Sequence, residues 1–187
     1  MRAKRGFTFT ETLVSLLIIV LLTALVASCI PVAINAYKQV MNASNAQMAL
    51  STTTSALRNE LGLAVDVKVA ANGSLYYQTG EGDWVRIDNG SVGLVKHVYK
   101  DAIGGFKPDT PGTEIDAVSL VPDEAIEGAS NDEPLRVSMG GASGASITYD
   151  ASSGVFTVHG IQVTSGSTQV EGVDDYKVRA IVEPGSR

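Results

Sequence analysis

The chain has one cysteine in 187 residues, Cys29, so no disulfide can form within it. It has two histidines, His97 and His159, and neither has a cysteine or second histidine nearby in sequence. A transition-metal centre therefore has little to stand on, and ordinary strand positions are the expectation for both. No Gly-x-Ser-x-Gly elbow, Walker loop or glycine-rich dinucleotide fingerprint occurs, so nothing marks an exported enzyme. No repeat of 20–50 residues is present. Charge is scarce, at 18% of residues, and between positions 12 and 37 it is missing altogether.

Those 26 uncharged residues are the most informative part of the chain. As a helix they would extend about 39 Å, against a bilayer core of about 30 Å. Residues 13–30 have no polar face, and a helix apolar all round is either a membrane span or the core of an assembly. Pro31 removes one backbone donor and is expected to kink or locally melt the helix. Arg2, Lys4 and Arg5 precede the run and favour a cytoplasmic N-terminus, with the remaining 150 or so residues outside. Glu11 is the only acid at its edge. A carboxylate at the centre of a membrane helix costs about 2.5–3.5 kcal/mol, and less near the interface.

The segment Lys4-Arg5-Gly6-Phe7-Thr8-Phe9-Thr10-Glu11 and the uncharged run behind it resemble the prepilin signal of type IV pilins and of the pseudopilins of type II secretion and competence systems. The resemblance covers roughly residues 2–35. It implies cleavage by a prepilin peptidase between Gly6 and Phe7, and N-methylation of Phe7. It also implies pairing of Glu11 with the freed α-amine of Phe7 on a neighbouring subunit, which would set axial register. Thr10 stands where the family usually has an aliphatic residue, and Pro31 falls later than the proline that often kinks family helices. Many pilins clamp a C-terminal loop with a disulfide, which this chain cannot do. Other pilin subunits, an assembly platform in the membrane and a cytoplasmic ATPase are the partners the resemblance implies. No cofactor is implied.

A second signal occupies the same segment. Val26-Ala27-Ser28-Cys29 fits a lipoprotein cleavage box, with Cys29 lipidated and residues 13–25 as the apolar part of a secretory signal. Glu11 beside the apolar stretch, and the lack of a flexible polar tether after Cys29, count against it. In a third reading Cys29 is simply a small apolar residue on a lipid-facing helix.

Residues 1–6 are thus expected to be a leader. Residues 7–64 form a helix, with 7–35 as membrane span or filament core and 36–64 carrying the head. Tyr37, Met41, Met48, Leu50, Leu57 and Leu61 mark its packing stripe, residues 51–55 are its weakest stretch, and Gly62 ends it. Residues 65–187 are expected to form a β-rich, mainly antiparallel head, making the whole α+β and pilin-like. Strands are expected at 65–69, 75–79, 84–88, 92–99, 116–121, 135–139, 145–149, 154–159, 162–164 and 175–182, with turns at Asn72-Gly73 and Asn89-Gly90. Residues 104–134 are expected to be exposed loops.

Without residues 1–6 the chain carries 11 Lys and Arg against 20 Asp and Glu, a side-chain charge of −9. An acidic exported head does not suit phosphate backbones, so nucleic acid is not an expected partner. Asp123, Glu124, Glu127, Asp132 and Glu133 lack the spacing of a calcium loop and read as a solvated acidic segment. Asp174-Asp175 is a weaker candidate still. Trp84, Tyr76 and Tyr77 fit cross-strand packing better than a carbohydrate or partner surface.

Overall fold

A computed structural model describes residues 8–91, 93–100, 105–121, 134–140 and 146–181. The chain is α+β: one long helix is followed by two antiparallel sheets. It divides into two compact units, Met1–Val40 and Met41–Arg187.

Helix α1 covers Phe9–Gly62, and Pro31 lies inside it. The expected local melting at Pro31 does not occur. Residues 51–55 also stay helical, although serine and threonine are weak helix formers. The hydroxyl of Thr52 donates to the Met48 carbonyl at 2.9 Å, that of Thr53 to Ala49 at 2.8 Å and that of Thr54 to Leu50 at 2.9 Å. Each polar side chain is thus absorbed by the turn before it.

The buried stripe of α1 agrees with the expected one at Leu57 and Leu61 and differs from it before them. Ala46, Ala49, Thr53, Leu57 and Leu61 form it, at intervals of three or four, and Gly62 is buried at the helix end. Tyr37 and Met48 are exposed instead, at 65% and 60%. The helix ends at Gly62, whose carbonyl accepts the amide of Ile181 at 2.8 Å.

The first sheet has the order β1-β2-β3-β4-β5, from Asp66–Val69, Leu75–Gln78, Trp84–Asn89, Leu94–Tyr99 and Glu114–Ser119. The Asn72-Gly73 turn joins β1 to β2: Gly73 has φ +85°, and Ala70 N–H donates to Ser74 O at 2.9 Å. The Asn89-Gly90 turn joins β3 to β4, closed by Gly90 N–H on Gly93 O at 2.7 Å.

The second sheet contains β6 Leu135–Ser138, β7 Ile147–Asp150, β8 Val155–Ser165 and β9 Thr168–Arg179. β6 and β7 pair with different halves of β8, and β9 pairs along its length. Two expected strands, 154–159 and 162–164, are therefore one. Phe156 and Val158 are buried before Gly160, and Ile161 and Val163 after it, so the inward face switches parity there. Gly160 at φ +57° makes this switch without ending the strand. β9 begins at Thr168 rather than at 175, after a turn at Gly166 with φ +56°.

The core lies between the inner faces of both sheets and the C-terminal half of α1. It joins Leu57 and Leu61 to Tyr77, Val85, Leu94, Leu135, Phe156, Ile161 and others. Asn89 ties the two sheets together: its side chain accepts Met139 N–H at 2.8 Å and donates to Met139 O at 2.6 Å.

Candidate functional site

Within the first unit, the described residues are helix with no buried face. Leu16, Leu17, Ile18 and Ile19 are successive, so they point around the whole helix, and each is at least half exposed. The most apolar 18-residue window of α1 is entirely unburied in the isolated chain. By length and composition this helix can cross a membrane. The polar side chains on it fold back onto the backbone. Thr23 Oγ1 donates to Ile19 O at 2.7 Å, and Ser28 Oγ to Leu25 O at 2.7 Å. These bonds make threonine and serine compatible with lipid or with a packed helix bundle.

Glu11 lies in the first turn of α1, exposed. Thr8 precedes the helix, and its carbonyl accepts the amides of Glu11 and Thr12 at 3.1 and 3.2 Å. Thr8-Phe9-Thr10-Glu11 also has the spacing of a capping box, in which a glutamate three residues after a threonine reaches back to a free backbone amide. The Thr8 hydroxyl meets that of Thr10 at 3.1 Å. The helix dipole further favours an acid here. Sequence reading did not take up this Thr-x-x-Glu spacing. Cys29 is exposed in mid-helix, and the helix continues on both sides of it. Gly6, Phe7, Arg2, Lys4 and Arg5 lie outside the described residues, as do Asp123, Glu124, Glu127, Asp132 and Glu133.

The other candidates belong to the second unit. Tyr76 and Trp84 are 2% exposed and pack with Tyr99, Phe106 and Ala70 on the outer side of the first sheet. Trp84 stacks on Phe106 at 4.5 Å between centroids, with Lys68 Nζ 4.6 Å from the Trp84 ring. Tyr77 points the opposite way, into the main core. The three aromatics form no common surface.

His97 Nδ1 is 2.9 Å from Glu114 Oε1, and its Nε2 is 3.9 Å from Asp88 Oδ2. His159 Nδ1 is 2.7 Å from Asp175 Oδ1 and its Nε2 is 3.0 Å from Thr148 Oγ1. Hydroxyl, imidazole and carboxylate follow one another in the order used for nucleophilic catalysis. They stand, however, on an open sheet face with the Asp175 side chain 56% exposed. A nucleophile of that kind needs a desolvated pocket with oxyanion donors. The row serves instead to fasten β7, β8 and β9 across the sheet. Asp174 takes no part in it. Among the described residues no group of three or more His, Cys, Asp or Glu is placed to hold a metal ion.

No family model, curated protein or solved structure matches the chain.

Proposed function

We propose that the chain is a structural subunit of a filament, pilin-like or pseudopilin-like, processed after Gly6 and assembled through its N-terminal helix. One observation carries the reading: a helix uncharged from 12 to 37, exposed on every side, sits directly behind a Lys-Arg-Gly-Phe-x-x-x-Glu start. A surface of that kind has to be covered by lipid or by other apolar helices. A subunit held in the membrane and later withdrawn into a bundle of sister helices uses both in turn. Prepilin peptidase, sister subunits, a platform protein and an assembly ATPase are the partners this reading requires. The head lies outside the cytoplasmic membrane, as the cations of the leader favour.

Cleavage gives Glu11 its assembly role. It frees a cationic α-amine on Phe7, and Glu11 becomes the fifth residue of the mature chain. Two opposite charges on neighbouring subunits in a low-dielectric helix bundle attract strongly and penalise a subunit left unpaired. The continuous helix on both sides of Cys29 supports this reading over a lipoprotein anchored there.

Intact-mass and N-terminal peptide mass spectrometry on protein from native membranes tests the proposal. A chain beginning at N-methyl-Phe7 is the expected result. A chain beginning at diacylglyceryl-Cys29 would replace it with an anchored lipoprotein.

A further inference from the structure

Beside the C-terminal end of α1, the inner face of the first sheet is left partly uncovered. The opening is about 530 Å³, and its walls are Asn59 and Glu60 of α1, Leu63 just after the helix, and the 79–83 turn. Its floor follows the strand register. Val85 stands opposite Val98, Val98 opposite Asp116, and Lys96 opposite Val118. The floor is thus largely valine, with Val118 44% exposed and Leu63 63% exposed at the wall.

The charges around this groove are unbalanced. Glu60 is already engaged, by Lys96 Nζ at 2.8 Å and by the Tyr77 hydroxyl at 3.0 Å. Glu81, Asp83 and Asp116 line the same groove and have no ion pair among the described residues. The groove also opens along β5, the last strand of its sheet, all six of whose residues are exposed. An edge strand offers unpaired backbone donors and acceptors to an added strand. Asp116, pointing to the inner face, penalises a wholly apolar strand and favours one carrying a cation.

From these features we infer that the groove is a docking surface for an extended, basic segment of another protein, whose inward-facing side chains, at every second position, are by turns aliphatic and lysine or arginine. The segment lies along β5, its aliphatic side chains on Val98 and Val118 and its cations against Asp116, Glu81 and Asp83. A second copy of the chain is a poorer occupant, because each copy carries a formal charge of −6, or −9 in side chains without residues 1–6. The inference does not depend on cleavage after Gly6.

Fluorescence anisotropy with the full chain in neutral detergent micelles tests it. The probe is a labelled acetyl-Val-Thr-Lys-Thr-Val-Thr-Lys-Thr amide, one face of which presents valine and lysine by turns, and the control peptide carries glutamate in place of lysine. Saturable binding of the basic peptide alone is expected. Asp116→Lys and Glu81→Lys should each weaken it by about tenfold, as loss of a charge partner at an interface does, while Glu171→Lys on β9 changes it by less than about twofold. Glu81 is in a turn, so its variant keeps the test valid even if the edge-strand variant is unstable. Absence of saturable binding, or equal weakening by all three substitutions, overturns the inference. So does self-association of the chain that Asp116→Lys abolishes, since a second copy would then be the occupant.

Discussion

Glu60 Oε1 lies 2.8 Å from Lys96 Nζ, joining the last turns of α1 to the middle of the first sheet. The other oxygen of Glu60 accepts the Tyr77 hydroxyl at 3.0 Å. Burial pushes the Tyr77 phenol far above its ordinary range, and the Glu60 carboxylate adds to the effect, so the hydroxyl stays a donor at every accessible pH. The Lys96 and Glu60 side chains are 25% and 28% exposed, which screens the pair only in part. Removing the carboxylate leaves a half-buried ammonium and a buried hydroxyl short of partners. Glu60→Ala should therefore cost about 2 kcal/mol in urea denaturation, and Tyr77→Phe about 1 kcal/mol. Equal stability of Glu60→Ala and wild type would show that the cluster contributes nothing.

Gly160 makes a sharper test of the second sheet. Its φ is +57°, and a Cβ there would run into the carbonyl oxygen of Gly140, a backbone atom. The Gly140 amide is itself bonded to His159 O at 3.0 Å, which holds that residue close to the strand. Gly154 has a similar φ of +67° but open space around it. Gly160→Ala should cost about 3 kcal/mol or more, and Gly154→Ala about 1 kcal/mol, by the same denaturation measurement. Equal losses would mean that the left-handed backbone alone matters, and that the approach of Gly140 does not.

The same glycine shows where sequence patterning stops being informative. Alternation of apolar residues identifies Phe156 and Val158, then Ile161 and Val163, but the parity change between them reads as a break. Only the three-dimensional path shows one strand switching faces. β9 is hard to see for a different reason: its first half lies on an exposed edge, so Gln169, Glu171 and Asp174 carry no inward pattern. The helix was legible to within two residues at its C-terminal end, because an uncharged run and a glycine near the end are strong signals. Its packing stripe was legible at Leu57 and Leu61 but not further back, since size favours Tyr37 and Met48 whereas the contact takes Ala46 and Ala49. The Asn89 bridge to Met139 spans 50 residues and has no local signature. At the candidate site, Glu11 was legible from charge and spacing, yet its place in a capping sequence emerged only once the start of the helix was fixed.

Asp150 gives a prediction in pH. Its carboxylate accepts the hydroxyls of Ser153 and Ser152, each at 2.7 Å, and the Ser152 amide at 2.9 Å. Those bonds, the Ser153 hydroxyl first, hold its pKa down to about 2 from 3.8. The folded-state value is depressed, so the stabilisation is present above the unfolded pKa and is lost as pH falls from about 4 through about 2. NMR titration of the Asp150 carboxyl carbon should show a midpoint near 2 in the wild type and a higher one in Ser153→Ala. A wild-type midpoint near 4 would mean that the turn does not hold the carboxylate as described.

Glu11 is open to two physical roles that one substitution separates. As an acid at the third helical position it can serve the helix start, and glutamine there serves nearly as well in a capping box. As the partner of a neighbouring α-amine it needs its charge, and glutamine fails. Glu11→Gln should therefore leave helix content and cleavage after Gly6 unchanged, yet lower incorporation into filaments severely, about tenfold or more. Glu11→Ala should do the same, whereas Cys29→Ser should leave both steps intact. The measurement is the ratio of filament-borne to membrane-borne chain by immunoblot, with mass spectrometry confirming the mature N-terminus. If Glu11→Gln assembles at wild-type yield and only Glu11→Ala is impaired, the side chain acts as a cap and the charge pair has no part in register.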